Sequence, residues 1–186
     1  MVSIFFALGQ VRHSSEMIDR MNRVAAFFLL GISTISAAHA QASLASRIQV
    51  LEDKEEIRNV LLEYGRTLDA RDFAGYSRLF AKDGEWVGGF GTVKGPAEIQ
   101  AFMQKQIPGP NTAHNFHLLT NFVIDVKGDT ATAWSRWTFI IPAADGKPVI
   151  GQSGRYSDTL VRENGHWKFK RRQAMNDIPA GPPPSK

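Results

Sequence analysis

Apolar residues first fall into a regular pattern in the second quarter of the chain. Ile57, Leu61, Tyr64 and Leu68 recur at spacings of four, three and four, one face of an amphipathic helix. Glu52, Lys54, Glu55, Arg58 and Glu63 supply its wet side. Asp53, followed three positions later by Glu56, reads as a capping pair at its start. Asp72 opens a second, shorter helix through Tyr76, Leu79 and Phe80. Asp83-Gly84 ends that helix, and Trp86 starts the first strand. Glu85–Val87 and Gly91–Val93 then read as two short strands around Gly88-Gly89. Pro96 sits in the first turn of a third helix, with Ile99, Phe102 and Met103 inward, and Pro108-Gly109-Pro110 breaks it.

From here the period drops to two. Phe116–Val126 reads as a strand and Lys127-Gly128-Asp129 as a turn. Along Thr130–Ile141, Ala131, Ala133, Ser135, Trp137 and Phe139 alternate with Thr132, Trp134, Arg136, Thr138 and Ile140. Val149–Arg162 and His166–Met175 follow, each after a short Gly-containing turn, which makes an antiparallel meander. On the last strand, Lys168, Lys170 and Arg172 form a solvated basic face. Arg171 falls opposite with Trp167 and Phe169, either as a pocket arginine or as an edge residue. Three helices followed by a meander predict an α+β domain, with the helices packed on one face of a strongly bent antiparallel sheet. Such a sheet can curl around the first helix and leave a pocket open at one end.

The N-terminal part carries a targeting pattern. Arg20 and Arg23 precede the apolar run Val24–Ile32, and Ala38-His39-Ala40 is a small-x-small cleavage signal. The expectation is a signal peptide over residues 1–40, with Met17 or Met21 as possible starts, and the alternative is a retained anchor. The run is short and diluted by Ser and Thr for a membrane span, so no stable membrane insertion is expected after cleavage. Residues 41–47 read as a small-residue linker, 48–178 as the folded domain, and 179–186, ending in GPPPSK, as a disordered tail. With no cysteine in the chain, disulfides and thiolate chemistry are excluded, and an exported protein of this kind fits a bacterial periplasm or secretion. The net charge is +4. Removing the first forty residues removes Arg12, Arg20 and Arg23 against Glu16 and Asp19, leaving +3. So mild and scattered a charge gives no argument for a nucleic-acid partner.

Four stretches, YGRTLDARDFAGYSRLFAKDGEW, KGPAEIQAFM, HLLTNFVIDVKGDTATAWS and GRYSDTLVRENGHWKFKRR, occur in this order. Together they resemble the SnoaL-like branch of the NTF2-like superfamily, near its scytalone dehydratase and bile-acid dehydratase members, over about residues 48–176. The resemblance implies an NTF2-like cone-shaped barrel with an apolar pocket, usually as a homodimer or homotrimer. That superfamily also holds polyketide cyclases, ketosteroid isomerase, dioxygenase small subunits and non-enzymatic binders, so fold alone names no reaction.

In the dehydratase-like members, a helix aspartate and a histidine on the first meander strand form an acid–base pair. The resemblance places these at Asp69 and His117, and it places at Tyr64 a tyrosine that polarises the substrate oxygen. The chemistry is coherent. A carboxylate on one ring nitrogen fixes the histidine tautomer and raises its basicity, and a phenol can donate to a developing oxyanion. Against this, Tyr64 and Asp69 are about 140° apart on an ideal helix. They share a pocket only if Asp69 lies at the helix end or the pocket wraps that end. Alternative roles are a surface pair with Arg66 or Arg71 for Asp69, a satisfied core position for His117, and plain packing for Tyr64. Scytalone dehydratase has a tyrosine where this chain has Trp86, and a second histidine where it has Ser153, Gly154 and Arg155. Arg155 could orient an anionic or enolate oxygen, or could be a surface or interface residue. Phe102 and Trp137 are core residues that could also line the site of a ring-shaped ligand. His114 and His117 lie three apart on an extended segment, facing opposite ways, and no glutamate or cysteine cluster joins them, so no metal is expected.

The leading functional expectation is a cofactor-free dehydratase or isomerase acting on a hydrophobic, cyclic small molecule through Asp69 and His117. The alternatives are a non-catalytic binding or scaffold protein, and an accessory subunit of a larger enzyme. An enzyme requires His117 within hydrogen-bond reach of Asp69, whereas a binder does not.

Overall fold

The computed structural model describes residues 41–179, apart from Ala42 and Ala113. The chain divides into two units at Gln49/Val50. Of the first unit, Gln41 and residues 43–49 are described; they are helical and exposed. The stretch read as a linker therefore forms helix from residue 43 on, as its Ala, Leu, Ser and Arg residues contain no breaker. The expected signal peptide over 1–40 and the tail after Pro179 lie outside the described residues.

The second unit begins with α1, described here over residues 50–69. Ile57, Leu61, Tyr64 and Leu68 are all buried, so the apolar stripe is the face that meets the sheet. Asp53 and Glu56 do not cap the helix, because the helical stretch already runs through them. They tie it to the far end of the sheet instead. Asp53 accepts from Arg162 Nη2 at 2.5 Å and from Trp167 Nε1 at 3.3 Å, and Glu56 accepts from the Trp167 backbone N–H at 3.0 Å. Helix α2 (Phe73–Arg78) starts at Asp72, whose carboxylate accepts from the Gly75 N–H at 2.8 Å.

Strand β1 (Phe80–Gly88) begins well before Trp86, so Asp83-Gly84 lies inside a strand rather than at a helix end. A hairpin leads to β2 (Gly91–Lys94), and α3 (Pro96–Gln106) follows with Pro96 in its first turn and Ile99 and Met103 buried. Then come β3 (Phe116–Lys127), β4 (Thr130–Pro142), β5 (Pro148–Glu163) and β6 (His166–Ile178). The sheet order is β2-β1-β6-β5-β4-β3. The β3–β6 meander is antiparallel, but β1 runs parallel to β6, so the sheet is mixed rather than wholly antiparallel. The strand that completes it arrives from the helical half of the domain, in the same direction as β6. The result is a curved, unclosed six-stranded sheet with the helices on its inner face, an α+β fold.

Irregularities bend the sheet and decide which side chains face inward. The β3–β4 register shifts between Thr120 and Val123, with Asn121 at φ 57°. His117, Leu119, Phe122, Ile124 and Val126 are consequently the more buried side of β3. A second shift separates Thr159↔Arg171 from Leu160↔Phe169, leaving Lys170 as the extra residue of β6. Beyond it the alternation inverts. Arg172 is fully buried and Arg171 is on the outer side, the reverse of the assignment made from a strict period of two.

Candidate active site

Asp69 is the last helical residue of α1. The helix is closed by Ala70 and Asp72 N–H groups donating to Arg66 and Thr67 carbonyls, and by the Arg71 guanidinium on the Leu68 carbonyl at 2.9 Å. Arg71 takes φ 60°, and the chain turns away there. The Asp69 side chain is thus free of the helix repeat and reaches the start of β3. Its Oδ1 lies 2.6 Å from His117 Nδ1, and its Oδ2 accepts from the His117 backbone N–H at 2.8 Å. Each side chain keeps a little exposure, 16% for His117 and 18% for Asp69. A carboxylate that binds both the backbone and the ring of one histidine holds Nδ1 as the donor and leaves Nε2 as the basic nitrogen. Phe139 and Trp137 flank the imidazole, with ring centroids 4.7 and 6.1 Å away.

The alternative partners of Asp69 are engaged elsewhere. Arg66 binds Glu63 through Nε at 2.8 Å, and Arg71 binds the Leu68 carbonyl. A residue with no periodic signal holds the rim: Asn111 Nδ2 donates to the Asp69 carbonyl at 3.0 Å and to the Asn115 carbonyl at 2.7 Å. Asn111 sits just after the Pro108-Gly109-Pro110 break, and only that tight loop, next to a strand, hints at a clasp.

Among the described hydrogen bonds, Tyr64 makes none to the dyad. Its hydroxyl accepts from Trp86 Nε1 at 3.0 Å. Its ring packs against Tyr76, Tyr156 and Phe169 at 4.7, 5.4 and 5.8 Å. Burial pushes its phenol above the ordinary value, with the Arg172 charge opposing. Trp86 is buried, with the Phe102 ring tilted against it, centroids 5.5 Å apart. Trp137 lies between the dyad and Tyr156, whose ring is 6.0 Å from it. Arg155 points the other way, paired with Asp177 on the outer face of β5, because Gly154, Tyr156 and Asp158 take the inward positions. It is not placed to hold a ligand beside His117.

The sequence pattern missed the most buried charge. Arg172 meets Asp158 through two bonds, Nε to Oδ1 at 2.9 Å and Nη2 to Oδ2 at 2.8 Å, with no solvent on either side chain. Its guanidinium lies 4.0 Å from the Tyr64 and Tyr156 ring centres and 4.2 Å from that of Phe169. Burial alone would strip the charge from Arg172, but the Asp158 carboxylate overrides this and holds it above its ordinary value. Burial pushes the Asp158 carboxyl up, and Arg172 pulls it back. The only signal that could have found this pair is Asp158 itself, an acid at an inward position of β5.

A model of the SnoaL-like domain matches residues 49–173. The chain belongs to the SnoaL-like family. Solved relatives of this family member agree in fold. An NTF2-like protein with a cystatin-like fold from Novosphingobium aromaticivorans is 31% identical, with 70% of this chain and 86% of that chain covered and a TM-score of 0.64. ActVI-ORFA from Streptomyces coelicolor is 26% identical, covering 67% of this chain and 96% of its own, with a TM-score of 0.60. A cystatin-like-fold protein from Nostoc punctiforme is 27% identical, covering 67% and 91%, with a TM-score of 0.59. No curated protein sequence matches the chain.

Proposed function

We propose that this SnoaL-like protein is a cofactor-independent dehydratase or isomerase acting on a hydrophobic cyclic ketone or enone. The observation that carries the reading is the two-point bond from Asp69 to His117, which leaves Nε2 as a base beside apolar rings. Nε2 takes the proton alpha to the substrate carbonyl, and the C–H electron pair moves into the enolate. Asp69 stabilises the imidazolium that forms. The imidazolium returns the proton to a distal carbon in an isomerisation, or to a β-hydroxyl that leaves as water in a dehydration.

Two compounds test this without knowledge of the natural substrate. Wild type should accelerate deuterium uptake alpha to the carbonyl of β-tetralone, followed by NMR, and the appearance of enone from a β-hydroxycyclohexanone. His117→Ala should remove on the order of 10²–10⁴-fold of the rate, the usual share of a general base. Asp69→Asn should remove most of the same share. Rates for wild type no higher than those of His117→Ala on both compounds overturn the reading in favour of a binding protein. Export belongs to the same proposal and rests on the order of basic, apolar and small residues in 20–40. N-terminal sequencing of protein from its native host should start at Gln41, and a chain that keeps Val24–Ile32 overturns export.

A further inference from the structure

Among the described residues, five buried side-chain atoms have no hydrogen-bond partner: Tyr76 Oη, Asn115 Oδ1, Ser135 Oγ, Trp137 Nε1 and Arg172 Nη1. Two of these are neighbours on one strand. Ser135 and Trp137 are successive inward positions of β4, about 7 Å apart along the strand. Ser135 is fully buried and Trp137 is 5% exposed. The Trp137 ring lies between the imidazole of His117 and the ring of Tyr156, and Tyr156 is also the cross-strand partner of Ser135.

A buried N–H without an acceptor is costly, and native proteins almost always give such a group a partner. An indole nitrogen can only donate, and a serine hydroxyl can donate as well. Tyr64, by contrast, already takes a hydrogen bond on its phenol oxygen from Trp86. We infer that Trp137 Nε1, assisted by Ser135 Oγ, is the donor pair that binds the carbonyl or hydroxyl oxygen of the ligand, next to the Asp69–His117 dyad. This deepens the acid–base reading and rests on it for the ligand class, a ring compound with a hydrogen-bond acceptor. The apolar rings around the dyad then take the hydrocarbon part.

Binding and turnover are separable tests. Isothermal titration should show wild type binding β-tetralone at least tenfold more tightly than tetralin, which has the same rings and no oxygen. Trp137→Phe keeps an aromatic ring and removes the donor together with part of the ring's volume, which the tetralin measurement controls for. It should lower affinity for β-tetralone about three- to tenfold, the worth of one hydrogen bond, and leave tetralin unchanged. Ser135→Ala, a nearly isosteric change, should act in the same direction by a smaller factor. His117→Ala should leave this discrimination intact while removing deuterium exchange, so failure of the acid–base reading and failure of the donor pair give different results. Equal wild-type affinity for the two compounds, including no binding of either, overturns the inference and assigns the two groups to internal water. So does a Trp137→Phe variant, folded by circular dichroism, that binds β-tetralone as wild type does.

Discussion

Single residues carry constraints here that the local sequence does not display. Gly154 has no side chain because there is no room for one: a Cβ would stand 2.0 Å from the Met175 carbonyl oxygen and 2.6 Å from Trp137. The first neighbour is backbone and cannot move aside cheaply. Gly154→Ala should therefore cost about 1–3 kcal/mol in urea unfolding and displace the Trp137 ring, with a change in tryptophan fluorescence. The three tyrosines of the chain, Tyr64, Tyr76 and Tyr156, are all buried, and burial pushes each phenol above its ordinary value of 10.0. Above that value the unfolded chain releases protons that the folded chain keeps. Stability should thus fall as pH rises beyond about 10. An alkaline titration should show tyrosinate absorbance appearing only together with the loss of circular dichroism. A gradual rise in a folded protein would contradict the burial.

At the scale of elements, β6 is the instructive case. Strict alternation from Trp167 puts Arg171 inside and Arg172 outside. The extra residue at Lys170 inverts this, because a one-residue slip moves every later side chain to the other face. Arg172→Met should cost about 3–5 kcal/mol, since it leaves the Asp158 carboxylate buried and unpaired. Arg171→Met should cost less than about 1 kcal/mol, as that side chain is 43% exposed and its described bonds are to Gln173 and, loosely, to Glu85. Denaturant curves for the two variants give the phase of the strand directly, and reversed costs would restore the simple alternation. A double change of Arg172 and Asp158 to apolar residues should recover much of the loss.

At the scale of the whole molecule, the outer face of the meander keeps apolar groups in water. Phe116, Leu118, Val123 and Ile150 are exposed there, with Val123 at 63% and Ile150 at 67%. Trp134 and Ile140 lie on the same face of β4, beside Val123 and between Phe116 and Ile150. Contiguous apolar surface of this kind favours association. Light scattering at micromolar concentration should give the mass of a homodimer or homotrimer. Val123→Glu with Leu118→Glu should shift it to the monomer, and a wild-type monomer would count against the face as an interface.

Much of this was decided locally. The apolar stripe of α1, the Asp72 cap, the proline at the start of α3 and the four long strands follow from periodicity and turn chemistry, which need only near neighbours. The resemblance of four ordered stretches to a known family pointed to Asp69 and His117. Other features needed the tertiary structure. No pattern shows that Asp53 and Glu56 bind β5 and β6 rather than cap a helix, because those partners lie more than a hundred residues away. Nor does it show that β1 joins the sheet in parallel, or that Arg172 turns inward to Asp158. Bulges, long-range pairing and burial arise only when strands meet, and they chose which of the chain's charges and donors line the interior.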